Sequence, residues 1–212
     1  LIEKIYLTAS GGPFLGKSLI KLKNVNIKQA ISHPNWKMGK KISIDSATMM
    51  NKVFEIIEAK KIFNIPYKKL SILIHPKSYV HAIIKFKDGL IKIIAHETTM
   101  QIPIVNTLYQ KEFKKFKTKT IDLGKLNDLK LSFINKYQFP TTKIIKKLPI
   151  KDSLFETVLV SINDELVRLY LNKEFPYSIL INKLFKLMHK KEFSKYKFIE
   201  PKKITDILKL NK

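Results

Sequence analysis

The stretch Lys40-Lys-Ile-Ser-Ile-Asp-Ser-Ala-Thr-Met-Met-Asn-Lys-Val-Phe-Glu55 decides how this chain is read. Lys41 to Ile44 alternates polar and apolar residues and reads as a short β-like run entering a Ser/Thr-rich turn. The turn opens a helix from Thr48 to Phe63, with Met49, Met50, Val53, Phe54, Ile56, Ile57 and Phe63 as its apolar face. Asn51 and Glu55 are i,i+4 neighbours, and Lys52 and Glu55 are i,i+3 neighbours, so all three share one helix surface. An ammonium, an amide, hydroxyls and a carboxylate beside a helix N-terminus suit an anionic, oxygen-rich ligand and leave a place for a metal ion.

Working outward, Ile2 to Leu7 reads as a short buried strand stopped by Thr8-Ala-Ser-Gly-Gly-Pro13. Residues 14 to 40 read as a long loop with at most one short helix, the kind of segment that serves as a lid. Ser71 to Ile74 is a strand ended by His75-Pro76. Val80 to Phe86 and Leu90 to Ala95 flank Lys87-Asp88-Gly89, a hairpin signal. Ile102 to Tyr109 starts a helix with Pro103 in its first turn. Residues 1–109, with a lid at about 10–40, therefore read as an α+β catalytic domain with a mixed sheet.

Residues 110–138 are Lys-rich and weakly periodic and read as a connecting arm. Residues 139–212 read as a small C-terminal α-helical bundle. Its helices are Thr141 to Lys147, Ser153 to Leu171, one opened by Pro176, and one opened by Pro201 with Ile204, Ile207 and Leu208 inward.

Composition narrows the function classes. The 212 residues are 45% hydrophobic, enough for a buried core, and contain no cysteine, so neither disulfides nor a thiolate zinc site arise. No apolar run is long enough to cross a bilayer as a helix. The formal charge of +24 invites a nucleic-acid reading, yet of 41 basic residues only Arg168 is Arg, the better residue for phosphate forks and base edges. The Lys is spread through every segment, as codon drift in an AT-rich genome would leave it, so no specific nucleic-acid partner and no membrane are expected. Lys111 to Lys119, interleaved with Phe113 and Phe116, is the best stretch for the opposing view. The start at Leu1, without Met, reads as the middle of a longer protein.

Several segments, in matching order along nearly the whole chain, resemble one family. They are Leu7-Thr-Ala-Ser-Gly-Gly-Pro-Phe14, His33-Pro-Asn-Trp-Lys-Met-Gly39, the opening stretch through Glu58-Ala59, and Leu73-Ile-His-Pro-Lys-Ser78. Met100-Gln-Ile-Pro-Ile104 and Ser161-Ile-Asn-Asp-Glu165 add weaker support. The chain resembles the C-terminal part of the 1-deoxy-D-xylulose 5-phosphate reductoisomerases of the non-mevalonate isoprenoid pathway. That resemblance implies a truncated α/β enzyme. Its reaction is a metal-dependent rearrangement of 1-deoxy-D-xylulose 5-phosphate, then NADPH-dependent reduction to 2-C-methyl-D-erythritol 4-phosphate.

The resemblance also implies roles. Ser10, Ser46, Asn51 and Lys52 match phosphate-binding residues, and His33 a substrate-contacting residue of the active-site loop. Trp36 matches the aromatic that closes over substrate, Glu55 a metal-binding carboxylate, and Met38 and Met100 residues near the nicotinamide. Glu55, Lys52 and His33 form the expected catalytic set, with Mg2+, Mn2+ or Co2+ as the metal. A homodimer is expected, in a bacterial cytoplasm or, in a eukaryote, the plastid stroma.

Each residue also has a plainer reading. Glu55 suits a solvated helix carboxylate, and Lys52 is one of many surface lysines. His33 before a proline suits a turn cap, Trp36 a core residue, and Met38 and Met100 gap-fillers. His75, His81 and Ser78 read first as core or sheet-edge groups.

The departures matter too. The chain has 6 Gly and no Gly-x-Gly-x-x-Gly turn for a dinucleotide. No Asp-x-Glu precedes Ser10, so Glu55 is a lone carboxylate where about three ligands are needed. A piece of an active enzyme, inactive by itself, is the first expectation. A catalytically inactive remnant serving as an interaction module is the alternative.

Overall fold

The computed structural model describes residues 1–109 and 118–210. Residues 110–117 of the expected arm, with most of the Lys/Phe stretch, lie outside the described residues.

Strand β1 (Ile2–Ala9) ends in the Gly-Gly-Pro turn and a 3-10 helix, Gly12–Phe14. Gly11 and Gly12 have φ of 91° and 62°, the left-handed region where a Cβ is penalised. Two short helices follow, α1 (Leu19–Leu22) and α2 (Ile27–Ile31), where at most one was expected. The second is nucleated by a reciprocal cap: Gln29 N–H donates to Asn26 Oδ1 at 2.9 Å, and Asn26 N–H to Gln29 Oε1 at 3.0 Å.

The Lys41 to Ile44 run is not β-like. It lies inside α3 (Lys40–Thr48). Gly39 C=O accepts from both Ser43 N–H (3.2 Å) and Ser43 Oγ (2.9 Å), and Lys41 pairs with Asp45 one turn on at 2.7 Å. Alternation misleads here because Ile44 is buried while Ile42 faces out, as residues two apart on a helix do.

Helix α4 (Met50–Phe63) starts after a break at Met49, whose φ is 65°. A left-handed Met costs about 1 kcal/mol or more, so the break needs support. Thr48 Oγ1 bonds back to Ile44 C=O (3.1 Å), Thr141 Oγ1 donates to Thr48 C=O, and Met49 itself is buried. The break re-aims α4, so that its first turns present Asn51, Lys52 and Glu55.

Then come β2 (Leu70–Ile74), the hairpin β3 (Val80–Phe86) and β4 (Ile91–Ala95), and α5 (Gln101–Leu108). The expected arm holds α6 (Leu123–Asn127) and β5 (Ser132–Phe133), and β5 joins the sheet. A 3-10 helix (Pro140–Lys147) leads to α7 (Phe155–Leu171), α8 (Tyr177–His189), α9 (Lys191–Ser194) and α10 (Ile204–Leu210).

The sheet order is β4-β3-β1-β2-β5, with β1 and β2 parallel and the other neighbours antiparallel. The register pairs Ala9 with Ile74, so both parallel strands end together, and His75 N–H donates to Ala9 C=O at 2.7 Å. Leu7 pairs with Ala82 and Val80 with Ala95, which brings the start of β3 and the end of β4 to the same edge. Ser10, His75, His81 and His96 are thereby delivered to one end of the sheet.

The apolar faces close over three clusters. Met50, Val53 and Ile57 of α4 pack with Phe155, Leu159 and Ile162 of α7 and with Leu184 and Met188 of α8. The opposite side of α4 (Ile56, Ala59) packs on Ile5, Leu70, Ile72 and Ile74 of the sheet. Phe14, Ile44 and Ala47 meet Val167, Tyr170, Tyr177 and Leu180. Full burial of each such side chain contributes roughly 1.5–3 kcal/mol. The inward reading of the last helix is corrected: Ile204, Ile207 and Leu208 are exposed, and Leu210 is the residue of α10 packed on the α4–α7–α8 cluster. The seven-residue helix meets its neighbour along one edge and leaves its other faces exposed.

Candidate active site

The pocket is built where β1 ends. Gly12 N–H donates to Ser10 Oγ at 3.1 Å, which fixes the hydroxyl against its own turn. A Cβ on Gly12 would lie 2.9 Å from Ser46 C=O, so the missing side chain lets the turn press against α3. Ser46 is buried beneath that turn.

His33 closes over Ser10 from the 14–40 segment. Its Nδ1 accepts from Asn35 N–H (3.1 Å) and Trp36 N–H (3.0 Å), which assigns the proton to Nε2. Nε2–H then donates to Ser10 Oγ at 3.0 Å. Burial, assisted by the positive charge of Lys52, lowers the His33 pKa, so the ring is neutral near pH 7. The capping expected of His33 is therefore present together with its contact to Ser10.

At the start of α4, Lys52 Nζ donates to both Glu55 oxygens, at 2.8 and 2.7 Å. Asn51 Oδ1 is buried and has no hydrogen-bond partner among the described residues.

A third wall was not anticipated. His81 stacks on His96 with centroids 3.6 Å apart, and Trp36 meets His81 edge-on at 6.4 Å. His81 Nε2–H donates to His96 C=O at 3.1 Å. Its pKa falls to about 4: burial is the main cause, opposed by that hydrogen bond and reinforced by the charges of His96, Lys52 and His75. His75 is buried, with Nδ1 on Leu129 C=O, and burial lowers its pKa as well. Asn35 Nδ2 donates to Pro76 C=O (2.6 Å) and Ser78 Oγ (2.8 Å), tying the Trp36 segment to the turn after β2. The only hint in the sequence is a His-Pro pair at the end of a strand, since the stacking depends on cross-strand register.

Ser10, His33 and Trp36 thus form one hydrogen-bonded corner above Ser46, and Lys52, paired with Glu55, lies near enough for its charge to act on His33 and His81. Met38 is half-buried just before Gly39, and Met100 is exposed at the start of α5. Thr98 Oγ1, two residues before Met100, reaches Ser78 C=O at 3.4 Å.

Chemically, the region offers the Lys52 ammonium and the Ser10 hydroxyl to an anion, while the single N–H of each of His33, His75 and His81 is already held by Ser10, Leu129 C=O and His96 C=O. For a divalent cation it offers the Glu55 carboxylate, and no group of three His, Asp or Glu able to hold a metal occurs among the described residues. The chain thus fits a hard cation with one ligand and leaves its other positions to water or to groups from elsewhere. A dinucleotide does not fit this chain alone: Met38 and Met100 bring apolar contact but no donors for its phosphates.

Two family models cover most of the chain. The 1-deoxy-D-xylulose 5-phosphate reductoisomerase C-terminal domain matches residues 1–63, and the DXP reductoisomerase C-terminal domain matches residues 96–212. This chain belongs to the DXP reductoisomerase family. A reductoisomerase of Pelagibacter ubique is 56% identical over 99% of this chain and 54% of its own length. That of Aquifex aeolicus is 33% identical over 98% of this chain and 53% of its own length. A DOX-P reductoisomerase crystallised with NADPH, fosmidomycin and magnesium superposes with a TM-score of 0.90 at 31% identity. It matches 99% of this chain and 52% of its own. The chain therefore spans about half the length of the reductoisomerases it matches.

Proposed function

We propose that this chain is the substrate-facing half of a 1-deoxy-D-xylulose 5-phosphate reductoisomerase, acting in non-mevalonate isoprenoid synthesis. Residues 1–109 serve as its catalytic part, 110–138 as a connecting arm and 139–212 as a helical domain. Ser10, Ser46, Asn51 and Lys52 take the substrate phosphate. His33 contacts substrate, and Trp36 closes over it and excludes water. Glu55 supplies one oxygen to Mg2+, Mn2+ or Co2+, and Met38 and Met100 lie beside the nicotinamide. The observation that carries this reading is the convergence of Ser10, neutral His33 and Lys52 at the carboxyl ends of the parallel strands β1 and β2, where α/β sheets place ligands.

The imidazoles keep their single N–H groups on protein partners and add no charge, which leaves Lys52 as the point charge for a phosphate. A divalent metal, when bound, polarises the keto and hydroxyl oxygens of the substrate during the rearrangement. NADPH supplies the hydride from outside these residues, so the 212 residues alone do not turn over substrate.

A homodimer in the bacterial cytoplasm completes the proposal. Its support is β4, whose residues are all exposed and include Ile91, Ile93 and Ile94, and whose outer edge has no partner strand among the described residues. The same surface favours the second reading, an inactive remnant that acts as an interaction module.

The test expresses the chain joined to its upstream coding sequence and follows NADPH oxidation with 1-deoxy-D-xylulose 5-phosphate and Mg2+. Turnover by the joined protein, and none by the 212 residues, is expected. Turnover by the 212 residues alone refutes the division of labour. An upstream stop codon, or a silent joined protein, favours the remnant.

A further inference from the structure

We infer that Lys52 and Glu55 form a self-neutralised resting pair that makes anion binding and divalent-cation binding mutually reinforcing. The inference rests on the anion pocket proposed above and concerns how that pocket is controlled. Lys52 Nζ places two of its three donors on the two Glu55 oxygens, at 2.8 and 2.7 Å. Its side chain is 15% exposed against 38% for Glu55, so the ammonium is the more enclosed partner and the carboxylate the more accessible one. No other carboxylate pairs with Lys52 among the described residues.

The surroundings sharpen the exchange. Lys52 sits in the first turn of α4, where the helix dipole is positive and no acidic residue stands in that turn. Its charge reaches His33 and His81, which burial keeps uncharged. Among the described residues, the Lys52 ammonium is matched to the one carboxylate of Glu55.

An anion arriving alone finds one donor of Lys52 open but its charge already offset by Glu55, and it gains the other two donors only by leaving a bare carboxylate three residues away. A divalent cation arriving alone must take Glu55 from Lys52 and then face a bare ammonium. When both arrive, Lys52 turns to the anion and Glu55 to the cation, and the four charges alternate in sign. Each ligand removes the competitor of the other, and the enhancement must be equal in both directions. A factor of about ten lies within the usual range for such coupling.

The test follows methyl phosphate binding to the 212-residue chain by amide NMR shifts at constant ionic strength, with and without an excess of Mg2+. Glu55→Gln, a near-isosteric change on a half-exposed side chain, removes the negative charge that offsets Lys52. The expected result is about tenfold tighter methyl phosphate binding by E55Q in metal-free buffer. Mg2+ should tighten binding to the wild type and leave E55Q unchanged. Lys52→Met should abolish binding in both backgrounds. If K52M abolishes binding but E55Q binds no tighter than wild type, or Mg2+ leaves wild-type affinity unchanged, the coupling is overturned and the anion pocket stands. If methyl phosphate binding does not depend on Lys52, the proposed function falls and takes the inference with it.

Discussion

Ser10 Oγ and His33 Nε2 lie 3.0 Å apart across a 23-residue separation in sequence. That bond joins the end of the central strand to the segment carrying Trp36. The other nitrogen of the same ring holds Asn35 N–H and Trp36 N–H. His33 is therefore both a contact in the pocket and the internal fastener of its cover. His33→Ala should leave two backbone donors unpaired and release the segment. Hydrogen exchange at Asn35 and Trp36 should speed at least tenfold, a loss of about 1.4 kcal/mol in local protection, while the core stays protected. Unchanged exchange at these two amides would show that the ring does not hold the segment.

Gly12→Ala should be among the costliest single-methyl changes in the chain. Gly12 has a φ of +62°, and its new Cβ would meet Ser46 C=O, a backbone atom, at 2.9 Å. Left-handed strain and the clash together should cost about 2–4 kcal/mol, read from urea unfolding. Gly16→Ala, also at positive φ but with open space around it, should cost about 1 kcal/mol.

These two positions show what a sequence discloses. The Gly-Gly-Pro turn, strands β1 and β2 and the β3–β4 hairpin are marked locally, by apolar runs bounded by Gly, Pro and Asp-Gly. Lys41 to Ile44 misled because its alternation imitates a strand, whereas its helix is held by contacts with distant residues. Asn163 reaches Asp45 across 118 residues. The second short helix carries its own local signal, the Asn26/Gln29 reciprocal cap. The stacked His81 and His96 could not be foreseen, because their meeting depends on which residues face each other in β3 and β4.

That long-range contact carries its own expectation. Asp45 is fully buried, with Asn163 Nδ2 at 2.8 Å on Oδ1 and Lys41 Nζ at 2.7 Å on Oδ2. Burial raises its pKa despite both partners, so the group is held at a desolvation cost that the pair offsets. Asp45→Ala leaves the buried Asn163 amide without its acceptor while the part-exposed Lys41 keeps Asp164 at 2.8 Å, and should destabilise by about 1–3 kcal/mol. Asp45→Asn also removes the buried charge and should cost less than half as much. Calorimetric melting of both variants checks the order, and equal costs would rule out the ion pair as the reason.

The exposed β4 edge gives a test of assembly. Ile93→Lys with Ile94→Lys adds two charges to a strand that already carries Lys92 among its exposed apolar residues. If a second copy docks there, sedimentation should shift from dimer to monomer with no loss of unfolding free energy in the monomer beyond about 1 kcal/mol. A wild-type chain that is monomeric at tens of micromolar would remove the dimer from the proposal for these residues.

The histidine wall should make the fold sensitive to mild acid. His81 titrates at about 4 in the folded chain against its ordinary 6.5, chiefly because it is buried. Between those values the unfolded chain binds a proton that the folded one refuses. Stability is therefore complete above pH 6.5 and falls as the pH drops towards 4. Burial lowers His33 and His75 too, so their contributions have the same sign. With allowance for the partial exposure of the His81 ring, its own share should be about 1–2 kcal/mol. His81→Gln keeps a side-chain donor for His96 C=O but cannot take up the proton. Urea unfolding at pH 7.0 and 5.0 should show a smaller acid penalty in the variant by that amount. An identical penalty in both proteins would mean that His81 is not the group refusing the proton.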